Sequence, residues 1–166
     1  DALPISGIAE KLPEQIDAHY SAVILNVFTK KEVFDAVGFE TVEAVAEKFT
    51  RCMTAEMDYE LASGFCGLLI NHPEAPWSAE SYQRLRFLAV EHKNPQENMY
   101  NITSSNDPQN KSCQRLQDNV LNSIRGYAFR TIAETLWKYP EKVEDWKTVL
   151  EHGLQDPHPS VRYAVI

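Results

Sequence analysis

The chain has 166 residues, 43% of them hydrophobic and 24% charged, which is the composition of an ordinary globular protein and excludes collagen-like and intrinsically disordered classes. No apolar run reaches the roughly 18 residues that a membrane-spanning helix needs, so we expect no membrane span. The net charge of -8 arises in residues 1–83, where fourteen acidic and five basic side chains occur, and this balance disfavours tight binding of nucleic-acid phosphates.

Apolar residues that recur at three- and four-residue steps predict a chain made of helices. The stripes run over residues 16–28, 42–53, 61–69 and 82–89, and Ser78 is the expected N-cap of the fourth. Residues 93–115 are rich in Asn, Gln, Ser and Pro and form either a functional loop or a flexible linker. Further stripes cover residues 116–136 and 143–154, and a last helix begins near Val161. With no convincing β alternation, we predict an all-α chain of seven or eight helices.

The end of the chain repeats an earlier pattern. Ser160-Val161-Arg162 matches Ser123-Ile124-Arg125 at a distance of 37 residues, and Asp156 falls opposite Asn119. A period of about 35–47 residues with two helices per unit is typical of an α-solenoid, in which stacked helix pairs share one core. We therefore divide the chain into a degenerate helical segment at 1–92, a polar loop or insertion at 93–115, and repeat units at 116–166.

The residues Leu154-Gln155-Asp156-Pro157, followed by Val161-Arg162 and Ala164, resemble the HEAT-repeat pattern of the armadillo-type families. The resemblance implies a right-handed α-α superhelix in which Asp156, Arg162 and Arg125 form a hydrogen-bonded ladder between repeats. Asn119 takes the place of the family's Asp in the earlier repeat, and Gly126 follows Arg125. The chain would then be a fragment of a longer protein.

Residues 121–128, together with Trp137 and Asp156-Pro157, also resemble the helical-repeat region of large bacterial signal-transduction NTPases of the defence type. That resemblance implies a sensor segment that relays target recognition to an NTPase elsewhere in the parent protein. The chain itself has no GxxxxGK[ST] motif, so we expect no nucleotide site in these residues.

The sequence predicts no catalytic residue, no cofactor and no metal ligand set. It contains no GxGxxG, CxxC or HExxH motif, and its three cysteines lack framework spacing, which favours reduced thiols in the cytoplasm. Simple structural roles are expected for the residues that attract attention. Cys66 lies on an apolar stripe, and His72 caps a carbonyl. His152 and His158 lie on a solvated turn, Trp137 and Trp146 hold two helices together, and Gly64 and Gly67 permit a close helix crossing.

Two functions follow from this interpretation. The first is a non-enzymatic scaffold or sensor that binds another protein, or another domain of the parent chain, through a helical-repeat surface. The alternative is a HEAT-like nucleic-acid-binding domain that uses the surface arginines Arg84, Arg86, Arg115 and Arg130. A hydrolase or transferase that uses scattered histidines and carboxylates is the third class, and no residue spacing supports it.

Overall fold

The computed structural model of the protein describes residues 12–13, 16–52, 54–97 and 113–166. Within these ranges the chain is all-α, as predicted, and contains no strand. Nine α-helices occur there, which corrects the expected number of seven or eight. They are α1 (Ala18–Phe28), α2 (Lys31–Val37), α3 (Phe39–Phe49), α4 (Tyr59–Asn71), α5 (Ala79–Glu91), α6 (Cys113–Leu121), α7 (Ile124–Lys138), α8 (Val143–Leu154) and α9 (Pro159–Val165). No helix of the described ranges is both long and apolar enough to span a bilayer.

Two features account for the higher number of helices. The short helix α2 is separated from α3 by Gly38, whose φ of 87° is a left-handed conformation that glycine adopts at little cost. The single stripe predicted over residues 116–136 is two helices, because the chain becomes extended at Ser123 (φ -136°, ψ 143°) between α6 and α7. Asn119 therefore lies inside α6, where its side-chain amide donates to the Arg115 carbonyl, and it does not cap α7.

The chain divides into two compact units, Asp1–Arg84 and Leu85–Ile166, and the division falls within α5. The core of the first unit is centred on α4, whose residues from Leu61 to Leu69 are buried apart from Ser63. His72 ends α4, and its ring stacks on Phe34 with ring centroids 3.8 Å apart. Trp77 donates its indole N–H to the His72 carbonyl at 2.9 Å. The second unit has its own core, in which Trp146, Phe129, Leu85 and Ile132 are among the largest buried side chains.

Helices α1 and α4 lie side by side and run in the same direction. His19 near the start of α1 bonds Glu60 near the start of α4, and the His72 ring at the end of α4 bonds the Phe28 carbonyl at the end of α1. Between these contacts, a Cβ added to Gly64 would lie 3.4 Å from the Leu25 Cβ. The partners are 41 residues apart at one end and 44 at the other. The close helix crossing expected at Gly64 is confirmed.

Side chains of α3 contact the amino-terminal half of α5. The Glu43 carboxylate accepts hydrogen bonds from the backbone N–H of Ser78 and the hydroxyl of Ser81, and Glu47 lies 3.7 Å from Arg84 one turn further along both helices. The Ser78 hydroxyl also accepts from the Ser81 N–H at 3.1 Å, so the predicted N-cap of α5 is confirmed. The first unit thus holds one pair of parallel neighbours, α1 and α4, and side-chain contacts of a similar sequence separation join α3 to the start of α5.

Candidate interaction surface and its buried support

A buried ion pair in the second unit joins α7 to the turn before α9. The Arg125 guanidinium donates through Nε to Asp156 Oδ2 at 2.7 Å and through Nη2 to Asp156 Oδ1 at 3.1 Å. Only 9% of the Arg125 side chain and 2% of the Asp156 side chain are exposed. The planar guanidinium commonly binds a carboxylate in this bidentate geometry. The pair links residues that are 31 positions apart in the chain.

Both members of this pair have further buried hydrogen bonds. Arg125 Nη1 donates to the His92 carbonyl at 2.8 Å, and the His158 backbone N–H donates to Asp156 Oδ1 at 2.8 Å. Asn94 continues the network, because its side-chain oxygen accepts from the Ile124 N–H and its carbonyl accepts from the Arg125 N–H. The first backbone donors of α7, which a helix cannot satisfy internally, are therefore bonded by Asn94. Asn94 lies in the segment predicted to be a polar loop or linker, and the composition of that segment did not predict this role.

Arg162 and Asn119, the other two residues of the proposed ladder, behave differently from Arg125. Arg162 Nη1 donates to the carbonyls of Asp156 and Pro157, so it bonds the backbone of its own turn. Asn119 is buried and bonds its own helix. The structure therefore brings Arg125, Asp156 and Arg162 together at one turn, and leaves Asn119 with a local hydrogen bond to Arg115.

The arginines considered for nucleic-acid binding all have intramolecular interactions. Arg84 lies beside Glu47, and Arg86 is stacked 4.4 Å above the Trp146 ring. Arg130 bonds Glu134, one turn further along α7, at 2.6 Å with about half of its side chain exposed. Arg115 is half-buried and also has an intramolecular interaction. The nucleic-acid hypothesis stays a prediction, and a steep loss of binding with salt is its signature.

Cys66, His72 and His158 are buried in structural positions. Burial raises the pKa of the Cys66 thiol to about 12, so this residue is a small apolar side chain, as expected. His72 donates from Nε2 to the Phe28 carbonyl, so it caps a helix-end carbonyl as expected, although this carbonyl belongs to α1 and not to the helix that His72 ends. The prediction for His158 was wrong: it is fully buried, and its Nδ1 accepts from the Ser160 N–H at the start of α9. His152 is exposed, as expected. No metal-binding group of three or more His, Cys, Asp or Glu side chains occurs among the described residues.

The two tryptophans of the predicted interhelical contact have opposite environments. Trp146 is buried, as expected, but Trp137 is 88% exposed at the end of α7. The expectation for Trp137 was wrong because the chain turns at Pro140 into a short 3-10 helix, Pro140–Lys142, and α8 buries its own face without the Trp137 ring. An indole ring left in water is unusual, since tryptophan is strongly buried on average and is enriched at protein interfaces.

Trp137 lies on a face of α7 that also carries a polar pair. Arg130, Ala133 and Glu134 precede it at helical spacing, and each is exposed or half-exposed. Tyr139 and Lys142 follow, with the Lys142 ammonium 4.9 Å from the centre of the Tyr139 ring. We name the set formed by Arg130, Glu134, Trp137 and Tyr139 the Trp137 surface. An aromatic centre with a charged rim is the usual composition of a protein-binding patch.

Comparison of the chain with protein families, curated proteins and solved structures found no match in any of the three.

Proposed function

We propose that the chain is a helical-repeat scaffold of the HEAT-like, armadillo type, which binds another protein and catalyses no reaction. One observation carries the proposal: α4 runs parallel to α1, beside a partner about 40 residues earlier in the chain. A helix pair cannot bury its apolar stripe alone, and stacking equivalent helices in parallel is how a solenoid completes its core. The spacing of 37 residues between Arg125 and Arg162 agrees with this period.

The partner-binding site that we propose is the Trp137 surface. Solenoids bind partners through side chains exposed on their helices, and tryptophan and arginine dominate the binding energy of most protein interfaces. The partner is a second protein, or another domain of the same parent chain. If the parent is a bacterial defence-type NTPase, the surface would report target recognition to the nucleotide-binding part. The acidic balance of residues 1–83 favours a partner with a basic surface.

The experiment starts from a photo-crosslinking amino acid placed at exposed Ala133, one turn before Trp137 on the same face of α7, in the full-length protein within its native cells. One protein, or one other domain of the parent, should be crosslinked reproducibly, and its binding is then measured with purified components. We expect Trp137→Ala to weaken binding about 30-fold, because a hot-spot truncation costs about 2 kcal/mol or more. Its melting temperature should not change, since the ring is exposed.

The matched control is Leu121→Ala, which removes an exposed apolar side chain from the end of α6. Binding should be unaffected in this variant. Equal binding by wild type and Trp137→Ala would refute the Trp137 surface as the binding site. Release of a small-molecule product by the purified protein, with substrate turnover that follows protein concentration, would refute the non-enzymatic proposal.

A further inference from the structure

Two buried histidines of the second unit use the same ring nitrogen in the same way. His92 is 4% exposed, and its Nδ1 accepts a hydrogen bond from the Asn94 backbone N–H at 3.0 Å. His158 is fully buried, and its Nδ1 accepts from the Ser160 N–H at 3.2 Å. In both cases the donor lies two residues after the ring. Because a ring nitrogen that accepts a hydrogen bond carries no proton, both imidazoles are neutral and hold their proton on Nε2.

The hydrogen bond to the His158 ring holds the start of α9. Ser160 follows Pro159, the first residue of that helix, so its N–H is one of the donors that a helix cannot satisfy internally. The Asp156 carboxylate accepts from the His158 N–H and from the Arg125 guanidinium, which joins the same turn to α7. The His158 ring therefore caps α9 at the point where the turn before α9 is bonded to α7.

The hydrogen bond to the His92 ring holds the start of α7 through Asn94. Asn94 accepts from two backbone donors there, the N–H groups of Ile124 and Arg125. The His92 carbonyl also accepts from Arg125 Nη1 at 2.8 Å. Each histidine is thus bonded through its backbone to one member of the Arg125–Asp156 pair, and through its ring to a residue that begins or caps a helix.

The charged side chains around the two rings disfavour a further positive charge. Helix α9 lies against α6, α7 and α8. The charged and titratable residues of these elements are Asp156 in the turn, Arg162 and Tyr163 on α9, Arg125 and Tyr127 at the start of α7, Arg115 and Asp118 on α6, Glu151 and His152 at the end of α8, and Glu91, Lys93 and Glu97 around His92 in the chain. The Asp156 carboxylate already accepts from Arg125 and from the His158 N–H. An imidazolium at either position would add a positive charge beside the Arg125 guanidinium, whose partner carboxylate is occupied.

We propose that His92 and His158 form an acid-sensitive switch, which holds the amino ends of α7 and α9 at neutral pH and releases them when the two imidazoles take up protons. In the folded unit a second proton can enter a ring only at Nδ1, and it breaks the bond to Asn94 or Ser160. When the unit opens, both rings contact water and are protonated below about pH 6.5. The open state then binds more protons than the closed state, so the closed state loses stability as the pH falls below about 6.5. The switch does not depend on the Trp137 surface.

The expected size of the effect follows from the number of protons taken up. A ring that is neutral in the closed unit and titrates at about 6.5 in the open one raises the opening equilibrium constant about tenfold between about pH 7.5 and about pH 5.5. Two such rings raise it about 100-fold, because their proton uptakes multiply the constant independently.

The test is amide hydrogen exchange of the full chain, measured by NMR between about pH 7.5 and about pH 5.5 and corrected for the intrinsic exchange rate. The N–H groups of Ile124 and Ser160 report the opening, since they are bonded by Asn94 and by the His158 ring. Asparagine is the matched replacement, because its side-chain oxygen bonds the backbone N–H two residues on and does not titrate. The rise in the opening constant should be about tenfold smaller in His92→Asn and in His158→Asn than in wild type, and about 100-fold smaller in the double variant.

His152→Asn is the control, because it removes an exposed histidine of the same unit, and it should keep the wild-type rise. An equal rise in wild type and in the double variant overturns the proposal. So does a rise in His152→Asn that is reduced as much as in the other single variants.

The rings of the wild-type protein give a second readout, which decides the matter if an asparagine variant does not fold. In the closed unit, ¹⁵N NMR should show His92 and His158 as neutral rings protonated on Nε2 at about pH 5.5, where an imidazole in water is mostly charged. A ring that becomes charged above this pH while the Ile124 and Ser160 N–H groups stay protected would show that protonation does not open the unit, and the switch would be refuted.

Discussion

Removal of one partner from the buried Arg125–Asp156 pair should destabilise the second unit severely. In Arg125→Met, the Asp156 carboxylate keeps its bond to the His158 N–H but loses both guanidinium bonds inside a site that is 2% exposed. Breaking a buried pair in this way costs about 3–5 kcal/mol, because an uncompensated charge is left out of water. Since whole domains are stabilised by only about 5–15 kcal/mol, this is a large fraction of the total.

The measurement is a double-mutant cycle by urea unfolding, with far-UV circular dichroism and tryptophan fluorescence as separate probes because two units need not unfold together. Arg125→Met and Asp156→Asn should each lose several kcal/mol, and the double variant should lose less than their sum. Arg130→Met is the control. It deletes an arginine of the same helix whose pair with Glu134 is largely exposed, and about 0.5 kcal/mol is expected. If Arg125→Met is no more destabilising than this control, the pair is not what joins α7 to the turn before α9.

Three further outcomes are expected. Gly153→Ala should lower the free energy of unfolding by about 1–3 kcal/mol, because a Cβ there would meet the Phe129 ring and lie 2.7 Å from Val165 Cγ2. An unchanged melting temperature would contradict this close approach. Iodoacetamide followed by peptide mass spectrometry should label exposed Cys52 in the folded protein and leave Cys66, whose pKa burial raises to about 12, unlabelled until the chain unfolds. The hydrogen bond and charge of Glu60 raise the pKa of His19 above 6.5 in the folded protein. The stability that this pair contributes is therefore complete below pH 6.5, the pKa of the unfolded chain, and is lost as the pH rises through the higher pKa of the folded state. An NMR titration should show the His19 pKa falling in Glu60→Gln, and an unchanged value would show that the two side chains are not paired in solution.

Helical periodicity predicted the all-α class and the role of Ser78, because both depend on local physics. The phase of an apolar stripe is set by 3.6 residues per turn, and an N-cap needs only a side-chain oxygen beside the first free N–H groups. The same reasoning fails at Ser123. Leu116, Val120, Ile124 and Ala128 keep a constant step of four across the break between α6 and α7, so the pattern continues while the backbone does not.

Periodicity also could not decide which of two apolar faces is covered. On α1 it includes Tyr20, Val23 and Val27 as readily as Leu25, and only the position of α4 separates the exposed set from the buried one. Trp137 was misassigned for the same reason, since its exposure depends on where α8 lies after Pro140. His158 shows the opposite error. Its polar ring suggested solvent, but a buried imidazole is acceptable where its Nδ1 bonds the Ser160 N–H.

The proposed interaction site and the buried network belong to the same helix, and this connects stability to binding. Asn94 and Asp156 hold the amino end of α7 through the Ile124 N–H and the Arg125 guanidinium, while Trp137 lies near its carboxyl end. An exposed ring gains affinity from a rigid support, because less conformational freedom is lost when it binds. If Trp137 binds a partner as proposed, Arg125 would contribute to binding by fixing the helix that presents this ring, although Arg125 itself is buried. Arg125→Lys keeps the charge but cannot form both guanidinium bonds. This variant should weaken partner binding by less than Trp137→Ala and lower the melting temperature, whereas Trp137→Ala should change binding alone.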